Sequence, residues 1–123
     1  MIRIFVISLL SLFTLLHANA LQEAIDHAAE GSILKLPAGV YKGSIVIKKP
    51  LTIIGKEDGV IIDGEGSGTV ITVKSSYVTL KNLKIINSGD QTTSLDSGIK
   101  LSDGKQCEVS DCVIDDALFG IDM

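Results

Sequence analysis

The segment Gly98-Ile99-Lys100-Leu101 returns 22 residues later as Gly120-Ile121-Asp122-Met123, keeping the glycine and both apolar positions. A longer pattern, Val78-x-Leu80-x-Asn82-Leu83-x-Ile85-x-Asn87, returns after 29 residues as Cys107-x-Val109-x-Asp111-Cys112-x-Ile114-x-Asp116. The difference between the two shifts fits a loop inserted around Asp90 to Asp96. Self-similarity at such periods marks a repeat architecture, in which no unit buries its apolar face alone and neighbours must stack. The repeat fixes a register: Ile99 lies beneath Ile121, Leu101 beneath Met123, and Cys107 and Cys112 continue the columns of Val78 and Leu83.

Within each repeat the apolar period is two. Short alternating runs occur at Ile33 to Leu36, Ser44 to Lys48, Leu51 to Ile54, Val60 to Ile62, Thr69 to Val73, Val78 to Leu80, Leu83 to Ile86, Gly98 to Leu101 and Cys107 to Ile114. Turn residues separate them, among them Pro37-Ala38-Gly39, Lys49-Pro50, Asp58-Gly59 and Asp63-Gly64-Glu65-Gly66. Ile and Val outnumber Leu in these runs, which favours strands, and with only 4% aromatic residues the core must be aliphatic. Strands stacked in parallel at about 4.8 Å bring like side chains into columns. Asn82 and Asp111 fall at matching turns, where Asx side chains bond neighbouring backbone. The pattern predicts an all-β parallel solenoid, a parallel β-helix.

One helix precedes it. Leu21, Ala24, Ile25 and Ala28 recur at helical spacing over Leu21 to Ala29, with Gln22, Glu23, Asp26 and His27 on the polar face and Gly31 beyond the end. Such a helix can cap the open first coil, whose strand edge would otherwise be bare.

Met1 to Ala20 reads as a cleavable export signal: Arg3 gives the positive start, Ile4 to Leu16 the apolar run, and Ala18-Asn19-Ala20 the small-residue cleavage site. The expected division is therefore a signal peptide at 1–20, a capping helix segment at 21–30 and solenoid coils over 31–123, incomplete at the C-terminal end. There the last strand stops in mid-coil with nothing to cover it. A longer solenoid, or edge-to-edge pairing with another chain, is the expectation. A formal charge of -4 gives no basic footprint for nucleic acid, and anionic partners in general are not favoured.

Several segments together carry a family resemblance: Leu21-Gln22-Glu23-Ala24-Ile25-Asp26, the run from Glu30 through Pro37-Ala38-Gly39-Val40-Tyr41 to Gly43, Lys49-Pro50-Leu51-Thr52-Ile53-Ile54-Gly55, and Val60-Ile61-Ile62-Asp63-Gly64. With Gly68 to Val73, Asn87-Ser88-Gly89-Asp90 and Leu118-Phe119-Gly120-Ile121, they resemble the opening of the NosD family. The resemblance implies a periplasmic right-handed parallel β-helix, of the carbohydrate-binding and sugar-hydrolase type by fold. It implies an accessory role in nitrous oxide reductase maturation, hence in denitrification, supplying copper and sulfur to the copper-sulfide centre. The partners implied are ABC transporter subunits at the inner membrane and the reductase or its copper chaperone. Family members are several times longer, so only the first coils are represented.

The competing reading is a polysaccharide-active or carbohydrate-binding β-helix of the pectin lyase type. Such an enzyme needs carboxylates, or a base and an acid, converging on one face. Asp63, Asp90, Asp96, Asp115 and Asp116 are the candidate acids, and their ordinary role is to fill turns. No Arg follows the signal to meet a uronate, so the chain is read as non-catalytic, with no catalytic residue assigned. Cys107 and Cys112 are the weak metal candidates, soft enough for Cu(I), with Met123 as a thioether partner. Their column positions favour buried, inert thiols instead, and a disulfide between them is a further alternative. His27 is expected to be solvated. A sugar-binding module would stack aromatics, and after the signal only Tyr41, Tyr77 and Phe119 are at hand.

Overall fold

The computed structural model describes residues 20–91, 96–102, 105–115 and 117–122. The expected signal segment up to Asn19 lies outside these, as do Asp116 and Met123. The chain begins with helix α1 (Ala20–His27), then runs through β1 (Ile33–Leu36), β2 (Gly39–Lys42), β3 (Ile45–Ile47), β4 (Leu51–Gly55), β5 (Val60–Asp63) and β6 (Ile71–Val73). It continues through β7 (Val78–Lys81), β8 (Lys84–Ile86), β9 (Ser97–Leu101), β10 (Glu108–Ser110), β11 (Val113–Asp115) and β12 (Phe119–Asp122). Among the described residues no helix is long and apolar enough to cross a membrane.

The strands form three four-stranded sheets: β1-β4-β7-β10, β2-β5-β8-β11 and β3-β6-β9-β12. Every pairing is parallel. Three consecutive strands thus visit the three sheets in turn, and the fourth lands beside the first. This arrangement of parallel sheets and one short helix fits a parallel β-helix. Pairing follows the sequence repeat: Ile121 lies opposite Ile99, Val109 opposite Leu80 and Ile114 opposite Ile85. The expected partnership of Leu101 with Met123 falls outside the described residues.

Inward positions make aliphatic columns. Ile45, Ile71 and Ile99 stack in the third sheet, Ile62 and Ile85 in the second, Ile53 and Leu80 in the first, and all are buried. Burying each such side chain contributes about 1.5 to 3 kcal/mol, so the columns supply the main drive to stack. In the fourth coil the column ends: Ile121 is 47% exposed, with no described strand above it.

Two expected boundaries are revised. The helix ends at His27 rather than Ala29, because Ala28 N–H already turns back to the Ile25 carbonyl at 3.2 Å. The expected strand Cys107 to Ile114 is two strands, split by Asp111, whose φ of 53° lies in the left-handed region that no strand can contain. A strand at Gly39–Lys42 is also present where only a turn was expected.

The helix packs against the first coil. Leu21 and Ile25 are buried in the core cluster. Gln22, expected on the polar face, works as a substitute strand: its amide donates to the Val46 carbonyl at 3.0 Å and accepts from Val46 N–H at 2.7 Å. One side chain thereby satisfies both backbone groups that the edge strand β3 would otherwise leave bare. Lys49 fastens the other end, donating from Nζ to the carbonyls of Asp26 and Ala28 at 2.9 and 2.8 Å, where a cation suits the helix C-terminus.

Candidate functional site

Several corners turn on residues in the left-handed conformation. Asn82 and Asp111, one repeat apart, have φ of 58° and 53° between the first and second sheets. Asn87 takes φ 58° after the second-sheet strand, and Tyr77 and Gln106, again one repeat apart, take 60° and 55° before the first-sheet strand. The candidate acids and thiols sit on or beside this framework.

Asp63 is committed to its corner. One carboxylate oxygen accepts from Glu65 N–H at 2.8 Å and from Asn87 Nδ2 at 3.0 Å, so it staples the turn after β5 to the next coil. Asp96 is buried at 3% exposure and accepts from Gln91 N–H at 3.0 Å, closing the loop that the repeat arithmetic placed there. Gly89 packs against that carboxylate so closely that a Cβ there would overlap it. Asp90 and Asp115 are exposed, and Asp116 lies outside the described residues. Asp63 and Asp115 occupy one column with Ile86 between them. Their backbones are therefore two strand spacings, about 10 Å, apart. Asp63 and Asp115 end strands β5 and β11, Asp90 and Asp96 flank a loop, and Asp63 and Asp96 each hold a backbone N–H.

The thiols stand where the repeat put them but are half-buried, whereas Val78 and Leu83 one coil earlier are fully buried. Among the described residues no strand lies above them. Both pack against the core cluster. Cys107 Sγ donates to the Ser75 carbonyl at 3.3 Å, and Cys112 Sγ to the Ser110 carbonyl at 3.3 Å. Both are free. Strand β10 lies between them, and at about 3.3 Å per residue it holds their Cα atoms about 10 Å or more apart, beyond the 7 Å a disulfide spans. The alternative of a Cys107–Cys112 disulfide is thereby set aside. Desolvation pushes the Cys112 thiol up from its ordinary value, with the neighbouring Asp111 charge adding to it against opposing backbone hydrogen bonds. Among the described residues no three His, Cys, Asp or Glu side chains group as a metal would require. The two thiols flank β10, and Met123 lies outside the described residues.

The remaining candidates separate cleanly. His27 is exposed, its Nδ1 2.8 Å from the Glu23 carbonyl one helical turn back. Tyr41 faces inward opposite Ile62, its hydroxyl donating to the Pro37 carbonyl at 2.7 Å, and burial pushes its pKa up. Phe119 is on the last described coil. Tyr77 is more exposed still, at 63% against 41% for Phe119. Sequence reasoning counted it without placing it; the register, carried one residue past each strand, would have put it on a corner.

Fold and corner chemistry together define a stack of parallel coils. No family model matches the chain, and no solved structure matches it significantly. It is similar to the "Probable ABC transporter binding protein NosD" of Pseudomonas aeruginosa, 35% identical over 95 residues that cover 74% of this chain. The chain spans 22% of that relative's length.

Proposed function

We propose that this chain forms a right-handed parallel β-helix and serves, outside the cytoplasm, as a non-catalytic accessory in nitrous oxide reductase maturation. Right-handedness is supported by the strong chiral preference of parallel crossover connections. The observation that carries the functional reading is the similarity to the NosD relative over three quarters of the chain. In this reading the protein assists delivery of copper and sulfur to the reductase's copper-sulfide centre, together with ABC transporter subunits and the reductase or its copper chaperone. Metal would be cargo held by those partners. The Met1 to Ala20 segment directs export and is removed, leaving 21–30 as cap and 31–123 as coils.

Deleting the gene in the cell that makes the protein tests this directly. Nitrous oxide reductase should then accumulate with depleted copper and little activity, and plasmid-borne expression should restore both. A fully loaded, active reductase in the deletion strain would overturn the proposal.

A further inference from the structure

The outward positions of the second sheet form two columns that advance one residue per coil. One runs through Val40, Ile61, Lys84 and Val113, the other through Lys42, Asp63, Ile86 and Asp115. Half of these side chains are Val or Ile, and Val40 and Val113, at the two ends of their column, are 52% and 57% exposed. The first sheet carries only one apolar residue per outward column, Ile33 and Ile54, among Thr, Lys, Glu and Ser. Parallel sheets are ordinarily covered on both faces, so the second sheet has apolar surface to bury.

The order of residues along the stack names the occupant. From the first coil to the fourth, one column begins and ends on valine, while the other begins on a cation, Lys42, and ends on an anion, Asp115. Reversing the coil order lays valine on valine and lysine on aspartate. A two-fold axis along the strands performs that reversal when a second copy faces the first, and an isologous contact requires this kind of self-complementarity. We propose that the outer face of the second sheet pairs with the same face of a second copy, the two stacks running in opposite order.

In this pairing Val40 lies over Val113 of the partner subunit and Lys42 over Asp115 of the partner subunit, each contact occurring twice. Lys84 opens its strand beyond the Asn82 corner, so its stem crosses Ile61 of the partner subunit while its ammonium reaches the rim. Asp63 needs no donor from the other copy, since its carboxylate already accepts from Glu65 N–H and Asn87 Nδ2. Asp115 has a partner within its own chain, and a carboxylate accepts from more than one donor. A two-fold along the stacking axis would instead press both charged ends against valines. Four strands at about 4.8 Å and four residues at about 3.3 Å span roughly 250 Å². Stable dimers bury about 800 Å² per partner, so the pairing is weak and concentration-dependent. The inference does not depend on the reductase reading.

Sedimentation equilibrium of the full chain, expressed with its own Met1 to Ala20 segment so that processing is the cell's, tests it. Protein concentrations from about 1 μM to 1 mM cover the range of weak association, and a reversible monomer–dimer equilibrium is expected. Lys42→Asp should weaken dimerisation about tenfold, because symmetry counts each substitution twice. Combining Lys42→Asp with Asp115→Lys should restore the affinity to within about twofold of the parent. Val40→Thr keeps a strand-forming shape and should weaken dimerisation several-fold at an unchanged melting temperature. Lys35→Asp makes the same charge change on the first sheet and should dimerise like the parent. A monomer at every concentration, or an association that Lys42→Asp and Val40→Thr leave unchanged, would overturn the proposal. So would a double variant that melts like the parent and stays monomeric.

Discussion

Two corners of the same coil solve the same backbone problem differently. Between the first and second sheets the left-handed residue is Asn82, and its amide returns a hydrogen bond to the Gly55 carbonyl one coil earlier at 3.1 Å. Between the third and first sheets it is Tyr77, equally left-handed, with an exposed ring. Asn tolerates this region at little cost, whereas an aromatic residue gives up about 1 to 2 kcal/mol to enter it. The first corner is shaped for stacking alone, with a neighbouring glycine cut to fit. The second carries a local cost that stacking does not repay. Where a solenoid spends stability at one corner and gains it at another, the costly corner is where to look for contact with something else.

The largest effect is expected at the tight corner. A Cβ on Gly55 would overlap the Asn82 carbonyl oxygen, which is backbone and has no room to move without breaking the coil register. Gly55→Ala should cost roughly 3 kcal/mol by chemical denaturation, at the upper end for overpacking a rigid site. A cost under about 1 kcal/mol would mean the corners slide freely and the contrast drawn here is empty. Next comes Asn82 itself. Asn82→Ala forces a Cβ-bearing residue without a capping amide into φ near 58° and should cost about 2 kcal/mol. Asn82→Gly, free of the strain, should cost less than half of that. Equal losses in the two variants would show that the amide bond, and not the backbone conformation, dominates.

How much of this could be read from residues alone follows the same division. The pairing register was legible because like residues recur: Ile121 with Ile99 and Ile114 with Ile85 are the partners that the 22- and 29-residue shifts required. The Asn82 and Asp111 turns were legible because Asx residues have a known reason to be there. Strand β2 was not, since Pro37-Ala38-Gly39 signals a turn and the strand begins on that very glycine. The split of Cys107 to Ile114 was hidden by a phase change, in which apolar residues at 107, 109, 112 and 114 straddle a corner. Gln22 bridging to Val46 had no local signal, because its partner is 24 residues away. The thiols were placed on the right columns, but their burial depends on a layer that the columns do not describe. As for the candidate acids, residue type alone cannot separate a carboxylate that staples a turn, as Asp63 does, from one free to do chemistry.

Cys112, immediately after the Asp111 corner, gives a smaller and pH-dependent effect. Its pKa is raised in the folded chain, chiefly by desolvation, so the neutral thiol is the form the fold favours. That contribution is fully present below the unfolded thiol's pKa and is lost as pH rises through the folded value. Melting temperature should therefore fall on going from pH 8 into the alkaline range above the ordinary thiol pKa. Tyr41, also raised by burial, should add to the loss at still higher pH. Cys112→Val should flatten the thiol part of this dependence. An identical alkaline profile in that variant would assign the loss to other groups and leave the corner thiol a bystander.

The smallest effect has the opposite sign. Tyr77→Asn removes a bulky side chain from φ 60° and supplies one that adopts this conformation readily, while the 63% exposed ring surrenders little burial. The backbone N–H of Tyr77 still reaches the Lys105 carbonyl, so the link between coils persists. The variant should be more stable by about 0.5 to 1 kcal/mol, the gain expected when strain at a single left-handed residue is relieved. Tyr77→Gly should gain less, because glycine loses more conformational freedom on folding even as it relieves the same strain. If both substitutions instead destabilise, the ring is contributing packing that its exposure conceals, and the corner would be structural like its Asn82 counterpart. If both stabilise, the chain carries a tyrosine that its own fold would be better without, and the reason for it lies in whatever the ring touches outside the coil.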